Sequence, residues 1–212
     1  MNSKIIIGTG KLGRNSEFKN KHKYIDTINY SLDKVRGIHF SPTYGYSFKY
    51  LKNIDLNFNK NLKKIIKLDF SINSFPEVQL ELIRDSFLSN YEIDVQISGD
   101  QKNIIHLRDI NYKKFDDYLF FLKRKYKINN FYLTPLYYNS KFYEDYSYNS
   151  KINFNWAVHH SLTENEYQKD FLKRQKNKKI LSLRSFGEGL GYINNGYLTT
   201  MSHLKPDENK IN

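Results

Sequence analysis

The chain has 212 residues, no cysteine, and 34 Lys and Arg against 22 Asp and Glu, which gives a formal net charge of +12. That length suits one domain with a sizeable core. The missing cysteines exclude disulfides and thiolate metal sites, and no apolar run approaches the roughly 20 residues that span a bilayer.

The N-terminal MNSKIII lacks the long apolar region and small-residue cleavage site of a secretory signal, so the expectation is a cytoplasmic protein with no membrane partner. The positive charge raises the question of an anionic partner. The cations fall mainly in NKNLKKIIK (59–67), KRKYK (123–127) and KRQKNKK (173–179), at the ends of helical patterns or just before strands. Lys and Arg in such places complement a helix C-terminus and keep turns solvated, so nucleic acid is not an expected partner.

In chain order, IIIGTGKLG (5–13) reads as a β-branched strand running into Gly8, Gly10 and Gly13 with G-x-G-x-x-G spacing. A dinucleotide fingerprint needs a helix opening directly on those glycines and an acid about 20 residues on. Here a polar RNSEFKNKHK follows, and the next strand candidate, GIHFSP, ends without an acid, so the doubly wound dinucleotide fold is set aside. From Tyr24 to Arg36, Ile25, Ile28, Leu32 and Val35 recur at helical spacing. A strand is expected around Ile65 to Phe70, then a helix over PEVQLELIRDSFLSN with Pro76 at its start and Val78, Leu82 or Ile83, and Phe87 facing inward. EIDVQIS reads as a strand. In NYKKFDDYLFFLKRKYKI, residues Phe115, Leu119, Leu122 and Tyr126 share one helical face, ahead of the strand NNFYLTPLYY. INFNWAVHH, the helical TENEYQKDFLKRQK and the strand KILSLRSF continue the pattern.

Seven strands alternating mainly with helical stretches, and no hairpin signal, mean a parallel sheet with helical crossovers. The expected fold is α/β, a TIM-type (β/α) barrel of about seven recognisable units, incomplete at the C-terminus, since a complete barrel takes about 250 residues. One domain is expected over 1–212, with 192–212 a degenerate or partly disordered tail in which GYLTTMSHL (196–204) forms a reduced eighth strand without its helix. Incomplete closure leaves open strand edges, which invite a second copy or a protein partner. His159 and His160 have no spaced carboxylate, so no metal site is expected. The tyrosine-rich FYLTPLYYNSKFYEDYSY reads as core and loop packing.

Five stretches, IIIGTGKLG, DKVRGIHFSPTYGYSFKYL, IIKLDFS, LIRDSFLSNYEIDVQIS and LSLRSFGEGL, resemble in this order the strand-and-motif landmarks of the aldo-keto reductases, from Ile5 to about Leu190. PTYGYS is the most specific, being similar to the segment in which a strand end is followed by Tyr-Gly-x-Ser. The resemblance implies NAD(P)H-dependent reduction of a small carbonyl or sugar substrate by an Asp, Tyr, Lys and His tetrad. Tyr44 matches the tyrosine, the proton donor, and Lys67 the lysine that acidifies it. His39 stands at the aspartate position, and the histidine position falls on Ser98 or Gly99. Asp69, two residues beyond Lys67 and on the same strand face, is the candidate replacement acid. For an NADP or NAD cofactor the resemblance implies Gly8, Thr9 and Gly10 at the mouth, and Arg184, Ser185, Gly187 and Gly189 as part of a phosphate cradle. The two departures leave a second reading, a catalytically degenerate barrel acting as a binding or scaffold protein.

Overall fold

The computed structural model describes residues 5–10, 20–54, 56, 61–70, 75–84, 92–98, 112–134, 140–160, 173–174, 180–184, 189–192 and 198–201. It divides into two compact units, Met1–Phe131 and Tyr132–Asn212.

The first unit alternates strand and helix: β1 (Ile6–Gly8), α1 (Lys21–Leu32), β2 (Gly37–Phe40), α2 (Tyr46–Leu51), β3 (Lys63–Asp69), α3 (Pro76–Ile83), β4 (Ile93–Ser98) and α4 (Tyr112–Lys125), with β5 (Ile128–Leu133) beginning at its end. Its strands are parallel neighbours in chain order, β1 on β2, β2 on β3 and β3 on β4. Local chemistry explains the helix boundaries. Asn20 caps α1, its side chain accepting from the amides of His22 and Lys23. Pro76 opens α3 with Glu77 in the first turn. The KRKYK cluster supplies Lys123, Arg124 and Lys125 to the last turn of α4, where cations offset the carbonyl end of the helix, as its position in the sequence suggests.

Strand alternation sorts the sheet of this unit into two faces. Ile38, Phe40, Ile66, Leu68, Val95 and Ile97 lie on one, all buried. The register puts Gly8, His39, Lys67, Asp69, Asp94 and Gln96 on the other. The apolar face supplies core, and the polar one carries the candidate chemistry.

The helices follow the expected elements: α1 buries Ile28 and Leu32 of its expected stripe but not Ile25, and ends before Val35, while α3 differs more. The predicted stripe is buried throughout, Phe115, Leu119 and Leu122 in α4 and Tyr126 in the turn just past it. In α1 the buried residues are Tyr24, Ile28 and Leu32, because the Tyr24 hydroxyl turns inward to meet Ser47 Oγ at 2.8 Å. In α3 the buried residues are Pro76, Leu80 and Ile83; of the expected alternatives Leu82 or Ile83 it is Ile83 that faces inward, Leu82 is 50% exposed, Val78, expected inside, is 57% exposed, and Phe87 lies outside the described residues. α3 is apolar at too many positions for periodicity to fix its inner side; the tie is made by polar side chains instead, Glu77 accepting from Tyr118 at 2.6 Å and Glu81 from Tyr126 at 2.7 Å, both tyrosines on the α4 side.

In the second unit the end of β5 pairs with β6 (Asn155–His160), and β6 with β7 (Ile180–Arg184), again parallel. A helix absent from the sequence expectation, α5 (Ser140–Asn149), occupies part of the tyrosine-rich stretch. Its Tyr146 is buried 5.4 Å from the Phe154 ring, so that aromatic is core packing as read, while Tyr148 is 72% exposed. Trp156 is fully buried.

The strand expected within GYLTTMSHL is present, but it does not join the parallel sheet. β8 (Gly189–Tyr192) and β9 (Leu198–Met201) form an antiparallel pair in a sheet of their own. The short interval between Tyr192 and Leu198 cannot hold the dozen or more residues of a parallel crossover, so antiparallel pairing is the geometry available. The helical TENEYQKDFLKRQK lies outside the described residues except Lys173 and Arg174, which are helical and exposed. No described helix is long and apolar enough to cross a membrane.

Candidate active site

The site is assembled where β1 and β2 end. Thr9 is fully buried, and both its amide and its hydroxyl donate to the carbonyl of His39, at 3.0 and 3.2 Å, which stitches the two strand ends together. Beyond β2 the chain turns tightly. The Tyr44 amide donates to Ser41 O at 3.1 Å, the Thr43 amide to Ser41 Oγ at 3.3 Å, and Ser41 Oγ lies 2.9 Å from Thr43 Oγ1. Gly45 follows with φ 57°, a left-handed conformation that glycine adopts without a Cβ clash, and α2 starts at the next residue. The outcome is that the Tyr44 ring covers Gly10. A Cβ at Gly10 would stand 3.2 Å from Tyr44 Cζ and 3.3 Å from Cε2, closer than ordinary van der Waals contact, so the absence of a side chain there is what lets the phenol end settle.

His39, in β2, is buried, with its ring 6.3 Å from that of Tyr44 and tilted 57° to it. Its Nε2 lies 2.6 Å from Oε1 of Gln96, in β4. The two strands are not neighbours: β3 lies between them, with Ile65 the register partner of His39 and Lys67 that of Gln96. In a flat sheet strands two apart are about 10 Å from each other, so the two side chains lean together over β3, and Ile65 on that face is fully buried. Burial drives the imidazole pKa down; the Gln96 hydrogen bond opposes that and the Lys67 charge adds to it, leaving a value of about 4. His39 is therefore neutral at pH 7, and Lys67, half-buried, is near enough to be felt there.

Asp69 ends β3 on the same face as Lys67, opposite Ser98 in the register. Its backbone is held from α3: the Asp69 amide donates to Gln79 Oε1 at 3.1 Å, and Gln79 Nε2 donates to Asp69 O at 2.9 Å. At the other end of the same face, Asp94 is buried between Lys63 Nζ at 2.9 Å and Asn130 Nδ2 at 2.7 Å.

The structure thus brings Thr9, Gly10, His39 and Tyr44 into direct contact or close approach, with Lys67 in electrostatic reach and Asp69 on the same face. Gly8 shares that face too, is exposed, and has no atom of the described residues outside its chain neighbours within 4 Å of the place a Cβ would take. Arg184 closes β7, in register with His160, and Gly189 opens β8 opposite Met201. Ser185 and Gly187 lie outside the described residues, as does Gly99, one of the two candidate histidine positions. Gln96 was not among the expected residues. Its signal was present, however: Asp94, Gln96 and Ser98 place polar groups at every second position of a strand whose other side is apolar, and a buried polar side chain requires a partner. Among the described residues no three His, Asp or Glu come together to hold a metal ion.

No protein-family model matches the chain, and no curated protein matches its sequence. Solved structures do match. A Pseudomonas aeruginosa protein described as an aldo-keto reductase superposes with a TM-score of 0.61 at 18% identity, over 84% of this chain and 70% of its own. A thermostable aldo-keto reductase solved with the inhibitor epalrestat gives 0.63 at 12% identity, over 82% and 66%. An aldo/keto reductase from Klebsiella pneumoniae, solved with NADP and acetate, gives 0.62 at 12%, over 82% and 62%. The chain therefore spans under two thirds of the length of the latter two. At these identities the likeness is one of fold, which is an incomplete TIM-type (β/α) barrel of the aldo-keto reductase kind.

Proposed function

We propose that the protein is an NAD(P)H-dependent reductase of a small carbonyl or sugar substrate, in which Tyr44 donates the proton and Lys67 makes that donation easier. The observation that carries this reading is the seat of Tyr44. Its phenol end rests on Gly10, beside a buried neutral imidazole that registers the charge of Lys67. The fold comparison supports it, and NADP in the Klebsiella neighbour makes that nucleotide the first cofactor to try.

A bound nicotinamide nucleotide would supply a hydride to the carbonyl carbon. Charge then gathers on the carbonyl oxygen, where the Tyr44 hydroxyl gives up its proton and forms an alcohol. A phenol loses a proton near pH 10 in water, so a cation that favours phenolate brings the donor closer to working range. Lys67 supplies that charge, and His39, being neutral, takes none of it away. A carboxylate at position 39 would partly neutralise Lys67; here that part falls to Asp69. Among the described residues Gly8 is exposed, which suits a planar ring approaching this face, whereas the Thr9 hydroxyl is already committed to His39 O. Arg184, at the end of β7, is by the resemblance the residue that would hold a nucleotide phosphate.

The test is NADPH and NADH titration of the purified chain by nicotinamide fluorescence, followed by NADPH oxidation with a panel of small aldehydes and aldoses. Saturable binding, with turnover that Tyr44→Phe lowers by about two orders of magnitude, supports the reading. Absence of binding at millimolar nucleotide overturns it.

A further inference from the structure

We propose that Gln96 is a positioning residue: it reaches over β3 to hold His39 as the tautomer with hydrogen on Nε2, leaving Nδ1 as a hydrogen-bond acceptor in the site. The argument starts from valence. Gln96 Oε1 can only accept, so at 2.6 Å the His39 Nε2 must donate. A neutral imidazole carries one ring hydrogen, so Nδ1 is then a lone pair. His39 and Gln96 are 7% and 1% exposed, so water does not compete for this bond.

The groups around the ring agree with that assignment. From β1, Thr9 donates to the His39 carbonyl and fixes its backbone. From the turn before α2 comes Tyr44, a donor. From β3 come Lys67, a cation with three donors, and Asp69 on the same face. From β4 comes Gln96 itself. Tyr44 and Lys67 both offer hydrogens, and an imidazole presenting a lone pair complements them where a second N–H would repel. An uncharged acceptor thus stands where the resemblance places a carboxylate. The link to catalysis rests on the reductase reading above; the tautomer does not.

The test uses the full chain and reads the histidine rings by long-range ¹H–¹⁵N NMR, with the His39 signals assigned by their loss in His39→Asn. The expected result is the Nε2–H pattern in the wild type, unchanged from pH 8 down to about 5. In Gln96→Met, which keeps bulk and removes the acceptor, the His39 ¹⁵N shifts should move toward a mixture of tautomers. In Gln96→Glu a carboxylate faces Nε2, and His39 should gain a proton at least tenfold more readily, titrating at least one pH unit higher. An Nδ1–H pattern in the wild type, or His39 shifts unmoved by Gln96→Met, overturns the proposal; the wild-type spectrum decides even if a variant does not fold. Where turnover is found, Gln96→Glu should add to the kcat/KM pH profile an ionisation at the value NMR gives for His39, and a profile without it removes the catalytic role. If the tautomer is as expected and no nucleotide binds, the positioning stands and the reductase reading fails.

Discussion

The two ends of one sheet face solve the same problem differently. At the start of the strands Asp94 is buried, and its charge is answered within the fold by Lys63 and Asn130. At the finish of the same strands His39 is buried and uncharged, bonded to an uncharged amide, with the Lys67 cation close enough to push its pKa down. The first end is closed on itself, as expected where a fold must be held. The second keeps a charge and a phenol at the mouth, as expected where something is to be done to a ligand.

The largest test of this contrast is acid. His39 titrates near 6.5 in an unfolded chain and near 4 when folded, so between these values the unfolded state binds more protons and stability falls as pH falls. By pH 4 the loss attributable to this one group is about 3 kcal/mol. Urea unfolding at intervals from pH 7 to 4.5 should show a steeper decline in the wild type than in His39→Asn; parallel curves would mean that the imidazole is not kept neutral. Next in size, Tyr44→Phe should lower kcat for carbonyl reduction about 100-fold with its melting temperature little changed, since the ring and its seat on Gly10 survive. Equal activity in the two proteins would take the proton donor away from position 44. At the closed end, Asp94→Ala should cost about 2 kcal/mol in urea unfolding by stranding the Asn130 amide and the Lys63 ammonium. Turnover there should remain within a few fold of wild type, and a selective loss of activity would erase the division of labour. The smallest effect expected is that of Gln79→Ala, about 1 kcal/mol, from losing two hydrogen bonds to the Asp69 backbone.

What could be read in advance followed the length and contrast of each pattern. Phe115, Leu119 and Leu122 on one side of a 14-residue helix, with Tyr126 continuing the row just past its end, mark the buried stripe of α4 unambiguously. α3 has eight residues, with apolar side chains at 76, 78, 80, 82 and 83, so several sides of the helix are apolar and the burial of Leu80 over Val78 is decided by tertiary partners. α5 was hidden because its tyrosines suit strands as well as helices, whereas the β8–β9 pair did have a local signal, Asn195-Gly196 in its connection, which the dominant β-α alternation masked. PTYGYS marked Tyr44, and alternation put Lys67 and Asp69 on one face. The bond between residues 39 and 96 has no local trace: it spans 57 positions and crosses an intervening strand, so it exists only once the sheet has formed.

The grip of Gln79 on Asp69 has a mechanical meaning. A primary amide that donates to and accepts from the backbone of one residue does what an adjacent strand would do, so α3 acts as a surrogate strand on β3 at the point where the chain leaves the sheet. Helix and strand end then move as one piece, two residues from Lys67. Phe75, just before α3, and Val78 and Leu82 on its outer side are exposed, so anything that presses on that side of the helix also bears on the strand end.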